Sequence, residues 1–345
     1  MDLIDIFLEA AKSKKIFSFI GMAKNVGKTT TFNYIINHIK SKYALGLTSI
    51  GRDGEKKDIL TEQPKPKIFV APGNLIATAE ESLLRSKFQK KILKTTNVSS
   101  ALGKIVLAKS LSKGHIELSG PSIVKDLELV CNLLTDFGAE LILIDGAFDR
   151  KSFASPLLAH ATILATGAAV SHNMEEVVEE TRFTIKKLTI PPLTNGNEIQ
   201  KIKDIFKTSK AGIMEEDNTI ISFDVSTALN ATPLIISSLT SKSKYILIKG
   251  IVGSDLIQNL LKSNVDAENI TIIAEDGTKI FTSQQILTQW YNKGGAIKVL
   301  DPINILAVTA NPISPYGFQF NRKDFMTQLR SQLSLPVFDV LGGEL

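Results

Sequence analysis

An α/β fold with a mostly parallel, doubly wound sheet is predicted by three features of the sequence. Several short strand candidates are apolar throughout, as strands buried on both faces are. Segments with helical spacing of apolar residues alternate with these strands. A glycine-containing loop joins the first strand candidate to the next helix, at residues 21–30. With 345 residues the chain is also long enough for a second, smaller α/β domain.

The elements of the first region follow from the same patterns. A short amphipathic helix is expected within residues 1–15, and Ser122 and Gly138 are placed to begin and end the best amphipathic helix. Strands are predicted at 15–21, 44–51, 67–72, 91–96, 105–109, 115–119, 141–144 and 161–165. Helices are predicted at 29–40, 74–85, 122–137 and 173–187.

A turn-rich break at residues 191–197 predicts the domain boundary. We therefore expect a first domain over 1–192, which contains the glycine-containing loop, and a smaller α/β domain over 193–345 that binds a partner or substrate. In the second region, strands are predicted at 245–250, 270–274, 296–299, 303–308 and 336–340, and helices at 254–263, 283–291 and 323–334.

The loop at residues 21–30 has the composition of a phosphate-binding loop between a strand and a helix, so the domain over 1–192 is predicted to be a P-loop nucleotide-binding domain. Gly27 lets the backbone approach phosphate oxygens, and Lys28 reaches the β- and γ-phosphates as a point charge. Thr29 is expected to place its hydroxyl on Mg²⁺, and Thr30 to lie near the α-phosphate. The predicted nucleotide contacts are Gly21, Lys24, Asn25, Val26, Gly27, Lys28, Thr29 and Thr30.

Two acidic residues follow apolar strands and are predicted to complete the site. Asp145 ends the run Leu-Ile-Leu-Ile-Asp, and Asp53 follows the second strand. With Lys28 they are the predicted catalytic residues, and with Thr29 the predicted Mg²⁺ ligands. The alternatives are an Asp-Gly turn at Asp145 and a solvated turn at Asp53. Glu55 is a weaker candidate of the same kind.

Composition disfavours several other classes of function. The net charge of +5 comes from lysines that look scattered, without interleaved aromatic residues, so a nucleic-acid partner is not expected. The single cysteine, Cys131, excludes an internal disulfide and is expected in the core. No signal peptide or membrane span is apparent, so we expect a cytoplasmic protein. The missing Asn-Lys-x-Asp motif favours adenine over guanine.

One detail of the loop narrows its class. Five residues, rather than four, separate Gly21 from Gly27. This longer form resembles dethiobiotin synthetase and its relatives, in the signal-recognition, MinD and BioD class of P-loop proteins. Lys24 lies one place away from the additional signature lysine of MinD-like ATPases, so it is not assigned that role.

A narrower resemblance covers most of the first domain. The runs at 21–30, 48–55, 143–150 and 166–168 resemble the lysine 5,6-aminomutase reactivase B subunit family, and those at 308–312 and 318–335 extend the likeness less specifically. That family accompanies an adenosylcobalamin- and pyridoxal-phosphate-dependent aminomutase. The resemblance implies ATP-dependent exchange of damaged cobalamin for intact cofactor, together with a second reactivase subunit.

These observations predict a MgATP-binding protein that hydrolyses ATP slowly, with residues 53–63 as a moving segment. The competing hypothesis is an ATP-dependent enzyme that activates a carboxylate of a small molecule, as dethiobiotin synthetase and cobyrinate amidation enzymes do. A third is a binding module that has lost hydrolysis; the intact Gly27-Lys28-Thr29 with Asp145 argues against it.

Overall fold

The computed structural model describes residues 1–50, 67–146, 158–263 and 265–340. The chain forms two compact units: the first comprises Met1–Arg182 and Asn304–Leu345, and the second Phe183–Ile303. This division replaces the expected one into 1–192 and 193–345. The second unit is an insertion, because the chain returns to the first unit after Ile303.

The elements are as follows. Helices are α1 (Leu3–Ala11), α2 (Lys28–Ile39), α3 (Glu80–Arg85), α4 (Val124–Asp136), α5 (Met174–Leu188), α6 (Gly196–Thr208), α7 (Thr232–Ser238), α8 (Ser254–Lys262), α9 (Gln284–Asn292) and α10 (Arg322–Gln332). Strands are β1 (Ile16–Gly21), β2 (Leu45–Ser49), β3 (Ile68–Val70), β4 (Leu75–Ala79), β5 (Lys90–Ser100), β6 (Gly103–Ser110), β7 (Gly114–Ile116), β8 (Leu141–Asp145), β9 (Ala161–Gly167), β10 (Ala211–Glu215), β11 (Ile220–Phe223), β12 (Ser243–Ile248), β13 (Val252–Gly253), β14 (Thr271–Ala274), β15 (Ile280–Phe281), β16 (Ala296–Val299), β17 (Ile305–Asn311) and β18 (Val337–Phe338).

The described part of the first unit contains a nine-stranded sheet in the order β18-β17-β9-β1-β8-β2-β4-β6-β5. The seven strands from β18 to β4 are parallel, and β6 and β5 extend the sheet antiparallel. The α/β class and the mostly parallel sheet are thereby confirmed. The carboxyl ends of β1, β8 and β2 meet at one edge, where ligands of open α/β sheets bind.

Helices cover both faces of this sheet. Leu141 and Leu143 point to the core formed with α1 and α2, whereas Ile142 and Ile144 point to the core formed with α4. This alternation follows from the pleat of a strand. It explains why β8 has no polar alternation in its sequence.

Three expectations for the first unit require correction. Residues 75–79, expected within a helix over 74–85, form β4, and only Glu80–Arg85 is helical. The cap of α4 is Ile123, without a side-chain hydrogen bond, rather than Ser122. The strands predicted at 303–308 and 336–340 belong to the first sheet, because β17 pairs with β9 and β18 with β17.

The second unit has its own sheet and core. Its described strands pair in the order β11-β10-β12-β14-β16, with β12, β14 and β16 parallel and β10 antiparallel to both of its neighbours. Ile246 and Ile248 face the core that contains Trp290, and Leu247 faces the core that contains Phe206 of α6. This unit is thus α/β as well.

Candidate functional site

The loop between β1 and α2 has a left-handed glycine at its end. Gly27 precedes α2 with φ +87°, a conformation that glycine adopts without the steric cost of a Cβ. A Cβ at this position would lie 3.3 Å from the Cβ of Asn311. The sequence therefore needs glycine here both for backbone conformation and for space.

Lys28, the first residue of α2, forms an ion pair with Asp145, the last residue of β8. The pairing follows from topology: β1 and β8 are parallel neighbours, and Phe19 lies opposite Asp145 in the register. Each of the two side chains keeps 18% of its surface exposed. The loop lysine and the strand-end carboxylate therefore share one partly open position at the carboxyl edge of the sheet.

The three threonines after Lys28 divide into two groups. Thr29 and Thr30 are partly exposed in the first turn of α2, where helix N–H groups and the helix dipole favour anions. Thr31 is buried; its Oγ1 lies within hydrogen-bond distance of the Gly27 carbonyl, at 3.2 Å, and of Thr309 Oγ1, at 2.9 Å. Thr31 therefore holds the helix start in place.

The remaining loop residues differ in what they offer a ligand. The side chain of Val26 is 1% exposed, so only its main chain is available. Gly21 is buried, and the N–H of Met22 donates to the carbonyl of Ala165 at 2.8 Å. Lys24 and Asn25 are exposed. Asn25 has φ +62°, a left-handed conformation uncommon outside glycine.

A wall of the loop comes from β17, which sequence reasoning did not assign to the site. The side-chain Nδ2 of Asn311 donates to the Asn25 carbonyl at 3.2 Å. The main-chain carbonyl of Asn311 accepts from the Ala168 N–H at 2.9 Å. Asn311 thereby joins the loop to the end of β9. The run 308–312, which includes Asn311, already stands out in the sequence as part of the family resemblance. Nothing in the sequence, however, indicates that this strand lies beside the loop.

Beyond Asp145 the carboxyl edge continues with three hydroxyl residues. Ser49 lies opposite Asp145 in the β2–β8 register and donates to the carbonyl of Leu118 at 3.3 Å. Thr78 at the end of β4 accepts from the Ser119 N–H at 2.8 Å. The Ser119 Oγ is buried and has no hydrogen-bond partner in the part of the chain that the structure describes. Buried hydroxyls are normally paired, so this one marks a polar spot beside the site.

Asp53, predicted as a catalytic and metal-binding residue, lies outside the described residues, as do Glu55 and the predicted moving segment 53–63. In the described ranges, no group of three His, Cys, Asp or Glu side chains could hold a metal ion. The predicted Mg²⁺ ligands that the structure describes are thus Thr29 and Asp145. Both offer partly exposed oxygen atoms, the donor type that Mg²⁺ prefers, so they fit the ion.

Cys131 does not take part in this chemistry. It lies in α4 and is 1% exposed. Burial, with a smaller contribution from the Glu128 carboxylate, raises the pKa of the thiol to about 12. A thiol in this state is a poor nucleophile, which agrees with a role in packing.

Comparison of the chain with protein-family models, curated proteins and solved structures finds no match. Within the described ranges, no helix has the length and apolar character needed to cross a membrane.

Proposed function

We propose that this protein binds MgATP at the loop between β1 and α2 and hydrolyses it slowly. We further propose that it works as a reactivation factor, which uses ATP to exchange damaged cobalamin on a lysine 5,6-aminomutase. Nucleotide binding is supported by geometry. The identity of the partner is supported only by the resemblance of the loop and strand-end motifs described above.

The Lys28–Asp145 ion pair is the observation that carries the nucleotide proposal. A turn that contains glycine, lysine and threonine does not by itself indicate a phosphate ligand. Here the lysine lies at the start of a helix, and its ammonium group contacts the carboxylate that ends the neighbouring parallel strand. These are the positions that a phosphate and its counter-ion require.

The ion pair also suggests how binding proceeds. An incoming γ-phosphate competes with Asp145 for the Lys28 ammonium group, and the backbone N–H groups of the loop and the helix start add donors. Once Lys28 turns to the phosphate, the Asp145 carboxylate is released to a cation or to a water molecule. In the bound state the Lys28 ammonium group thus contacts the phosphate instead of Asp145, and the Asp145 carboxylate contacts the cation or water instead of Lys28, so neither charge is left unpaired.

Thr29 and Asp145 are the described residues that would hold Mg²⁺. The ion, when bound, supplies positive charge that offsets the charge of the phosphates during transfer. Thr29 would contribute its hydroxyl, and Asp145 its carboxylate directly or through water. Lys28 would offset negative charge on the transferred phosphate.

The test uses purified full-length protein. ATP hydrolysis is measured for the protein alone and together with a cobalamin-dependent aminomutase inactivated by turnover, with recovery of aminomutase activity as the second readout. We expect slow basal hydrolysis that the aminomutase stimulates, and recovery that needs ATP. If the protein binds no adenine nucleotide, the whole proposal is wrong. If ATP binds but the aminomutase changes neither readout, only the reactivase part is wrong.

The second candidate, an enzyme that phosphorylates a carboxylate of a small molecule, is favoured by one observation. Ser49, Thr78 and Ser119, whose hydroxyl has no hydrogen-bond partner among the described residues, continue the edge beyond Asp145 as a buried polar strip. A polar strip beside a γ-phosphate is where an acidic acceptor would lie. The two functions differ in what stimulates hydrolysis, since the enzyme requires a small acid and no protein partner. A screen of small carboxylic acids in the same ATPase assay separates them.

A further inference from the structure

The hairpin of β5 and β6 concentrates positive charge that the nucleotide site does not use. From Arg85 to Lys113 the sequence has eight lysine and arginine residues and no aspartate or glutamate. Subtracting these eight charges from the total of +5 leaves −3 for the rest of the chain. The positive net charge of the protein therefore comes from the segment between Arg85 and Lys113.

Strand register places three of these lysines on one face of the hairpin. Lys91 lies directly opposite Lys109, and Lys94 lies opposite Leu107. Leu107 and Lys109 are alternate residues of β6 and point to the same side. We call Lys91, Lys94 and Lys109 the lysine face. All three are exposed, and none forms an ion pair or a side-chain hydrogen bond with a described residue.

Protection of the sheet edge explains only part of this arrangement. Lysines and bulges on an edge strand discourage pairing with other chains. Lys91 and Lys94 lie on β5, the edge strand of the described sheet, which also has register shifts between Ile92 and Lys94 and between Thr95 and Ser99. Lys109, however, lies on β6, which is already paired on both sides. Like charges directly opposite destabilise a pair of strands, so the Lys91–Lys109 pair points to an anionic ligand.

The surroundings of the lysine face distinguish between kinds of anion. Single-stranded nucleic acids are bound through aromatic side chains on which bases stack, and the one aromatic residue from Arg85 to Lys113, Phe88, is buried. A lipid surface is bound by cationic and apolar groups on the same side. Of the exposed large apolar side chains from Arg85 to Lys113, Ile92 alternates with Lys91 and points to the other face, and only Leu111, two residues after Lys109, shares the side of the lysines. One such side chain gives too little apolar area to hold a lipid surface.

We propose that the lysine face docks an acidic segment of a partner protein. Ammonium groups on flexible stems match carboxylates, which are also held on flexible side chains. Such a contact accelerates association and fixes orientation more than it adds affinity, and it weakens as salt rises. The proposal does not depend on nucleotide binding, because its residues are separate from the loop.

The experiment measures binding of fluorescent poly-L-glutamate to the full-length protein by anisotropy at low and at physiological salt. The triple variant Lys91→Glu, Lys94→Glu, Lys109→Glu is compared with a control, Lys42→Glu, Lys201→Glu, Lys323→Glu. The control changes three lysines that are exposed elsewhere, so both variants alter net charge equally. We expect affinity to fall about tenfold or more in the first variant, and by less than about threefold in the control.

Equal losses in the two variants would overturn the proposal, because net charge alone would then account for binding. It is also overturned if single-stranded DNA or vesicles containing phosphatidylserine bind more tightly than poly-L-glutamate through the same lysines. If charge reversal prevents folding, the variant Lys91→Gln, Lys94→Gln, Lys109→Gln takes its place. ATP affinity, measured in parallel, is expected to stay unchanged.

Discussion

Two loops of this chain share a layout and differ in what surrounds them. In the first unit, β1 leads through a glycine-containing loop to α2, and in the second unit β12 leads through another, followed by the two-residue strand β13, to α8. Each loop has a glycine with positive φ, Gly27 at +87° and Gly250 at +109°. Each also has a lysine next to that glycine, Lys28 and Lys249. Both loops thus combine a left-handed glycine with a neighbouring lysine.

Their charged groups are arranged differently. Lys28 contacts the carboxylate of the adjacent strand end and stays partly open. Lys249 donates to the main-chain carbonyl of Phe206, and the Glu275 carboxylate accepts from the Gly250 N–H at 3.0 Å. In the second loop a carboxylate of the chain itself occupies a donor that a phosphate would need. A left-handed glycine before a helix is therefore not enough to leave a loop open to an anion. The positions of the lysine and of the acidic residue determine whether the loop stays open.

The largest expected effect separates the two lysines. In Lys28→Ala, we expect ATP affinity to fall about a hundredfold, roughly 2.7 kcal/mol, because hydrogen bonds to charged groups contribute about 1.5–3 kcal/mol. In the matched variant Lys249→Ala, ATP affinity should be unchanged. Titration calorimetry measures both. A loss in Lys249→Ala equal to that in Lys28→Ala would mean that the two loops are not different in function.

The next effect distinguishes the carboxylate of the first loop, Asp145, from that of the second, Glu275. Asp145→Asn keeps a hydrogen-bond acceptor for Lys28 but removes the charge. We expect Mg²⁺ affinity in the presence of ATP to fall about 10- to 100-fold. Binding of ATP without Mg²⁺ should not weaken, because Lys28 is released from its partner. Glu275→Gln is the control, and no change in Mg²⁺ affinity is expected there.

This split between the two measurements is the critical result for Asp145. A uniform loss with and without Mg²⁺ would mean that Asp145 only supports the loop structurally. The catalytic rate, followed in the same variants, should fall together with Mg²⁺ affinity.

A smaller effect concerns an ion pair of the second unit in which Glu198 is buried and Lys244 is partly exposed. Lys244 Nζ lies 2.6 Å from Glu198 Oε1, and the Tyr245 hydroxyl donates to Oε2 at 2.9 Å. Burial alone would raise the pKa of Glu198, but the hydrogen bonds from Lys244 and Tyr245 lower it below its ordinary value. The carboxylate therefore stabilises the fold above the ordinary pKa, 4.5, and this stabilisation is lost as the pH falls through the lowered value.

In Glu198→Gln we expect the free energy of unfolding to be lower by about 1–2 kcal/mol near neutral pH. The difference from the native chain should shrink below the ordinary pKa of glutamate. Hydrogen exchange in β10 and β12 reports the stability of this unit at each pH. A difference that grows in acid would contradict the assigned direction.

The smallest effect compares the two glycines. Both Gly27→Ala and Gly250→Ala place a Cβ on a left-handed backbone, which costs about 1 kcal/mol. Apart from its chain neighbours, no described residue has a heavy atom within 4 Å of the new Cβ at Gly250, whereas at Gly27 the Asn311 side chain lies 3.3 Å away. Denaturant unfolding should therefore show a loss in both variants and a somewhat larger one in Gly27→Ala, and only Gly27→Ala should also weaken ATP binding. Equal ATP affinities in the two variants would show that the Asn311 contact is unimportant.

Local patterns in the sequence predict the heart of the candidate site. Lys28 and Asp145 follow apolar strands directly, and parallel strands bring such ends to one edge, so their proximity can be anticipated. Asn311 and Thr309 could not be placed in this way. They reach the loop only because β17 pairs with β9, and the sequence of a strand does not specify its neighbour.

Two misread segments have local physical causes. Leu75, Ala79 and Leu83 recur near helical spacing, yet residues 75–79 are all buried and form the strand β4. Asn195-Gly196 was expected to be part of a break, but the Asn195 side chain accepts from the N–H groups of Asn197 and Glu198 and begins α6. A side chain that makes a turn also caps a helix, and the sequence alone does not separate the two uses.

The inserted position of the second unit has a consequence for synthesis. The hydrogen bond from Asn311 to the Asn25 carbonyl joins residues 286 positions apart. At about 5–20 residues per second, a ribosome needs roughly 15–60 s to travel between them. Within that time β1, α2 and β8 are all made before the strand that carries Asn311. The loop between β1 and α2 therefore gains its contact with Asn311 only after the whole second unit has been synthesised.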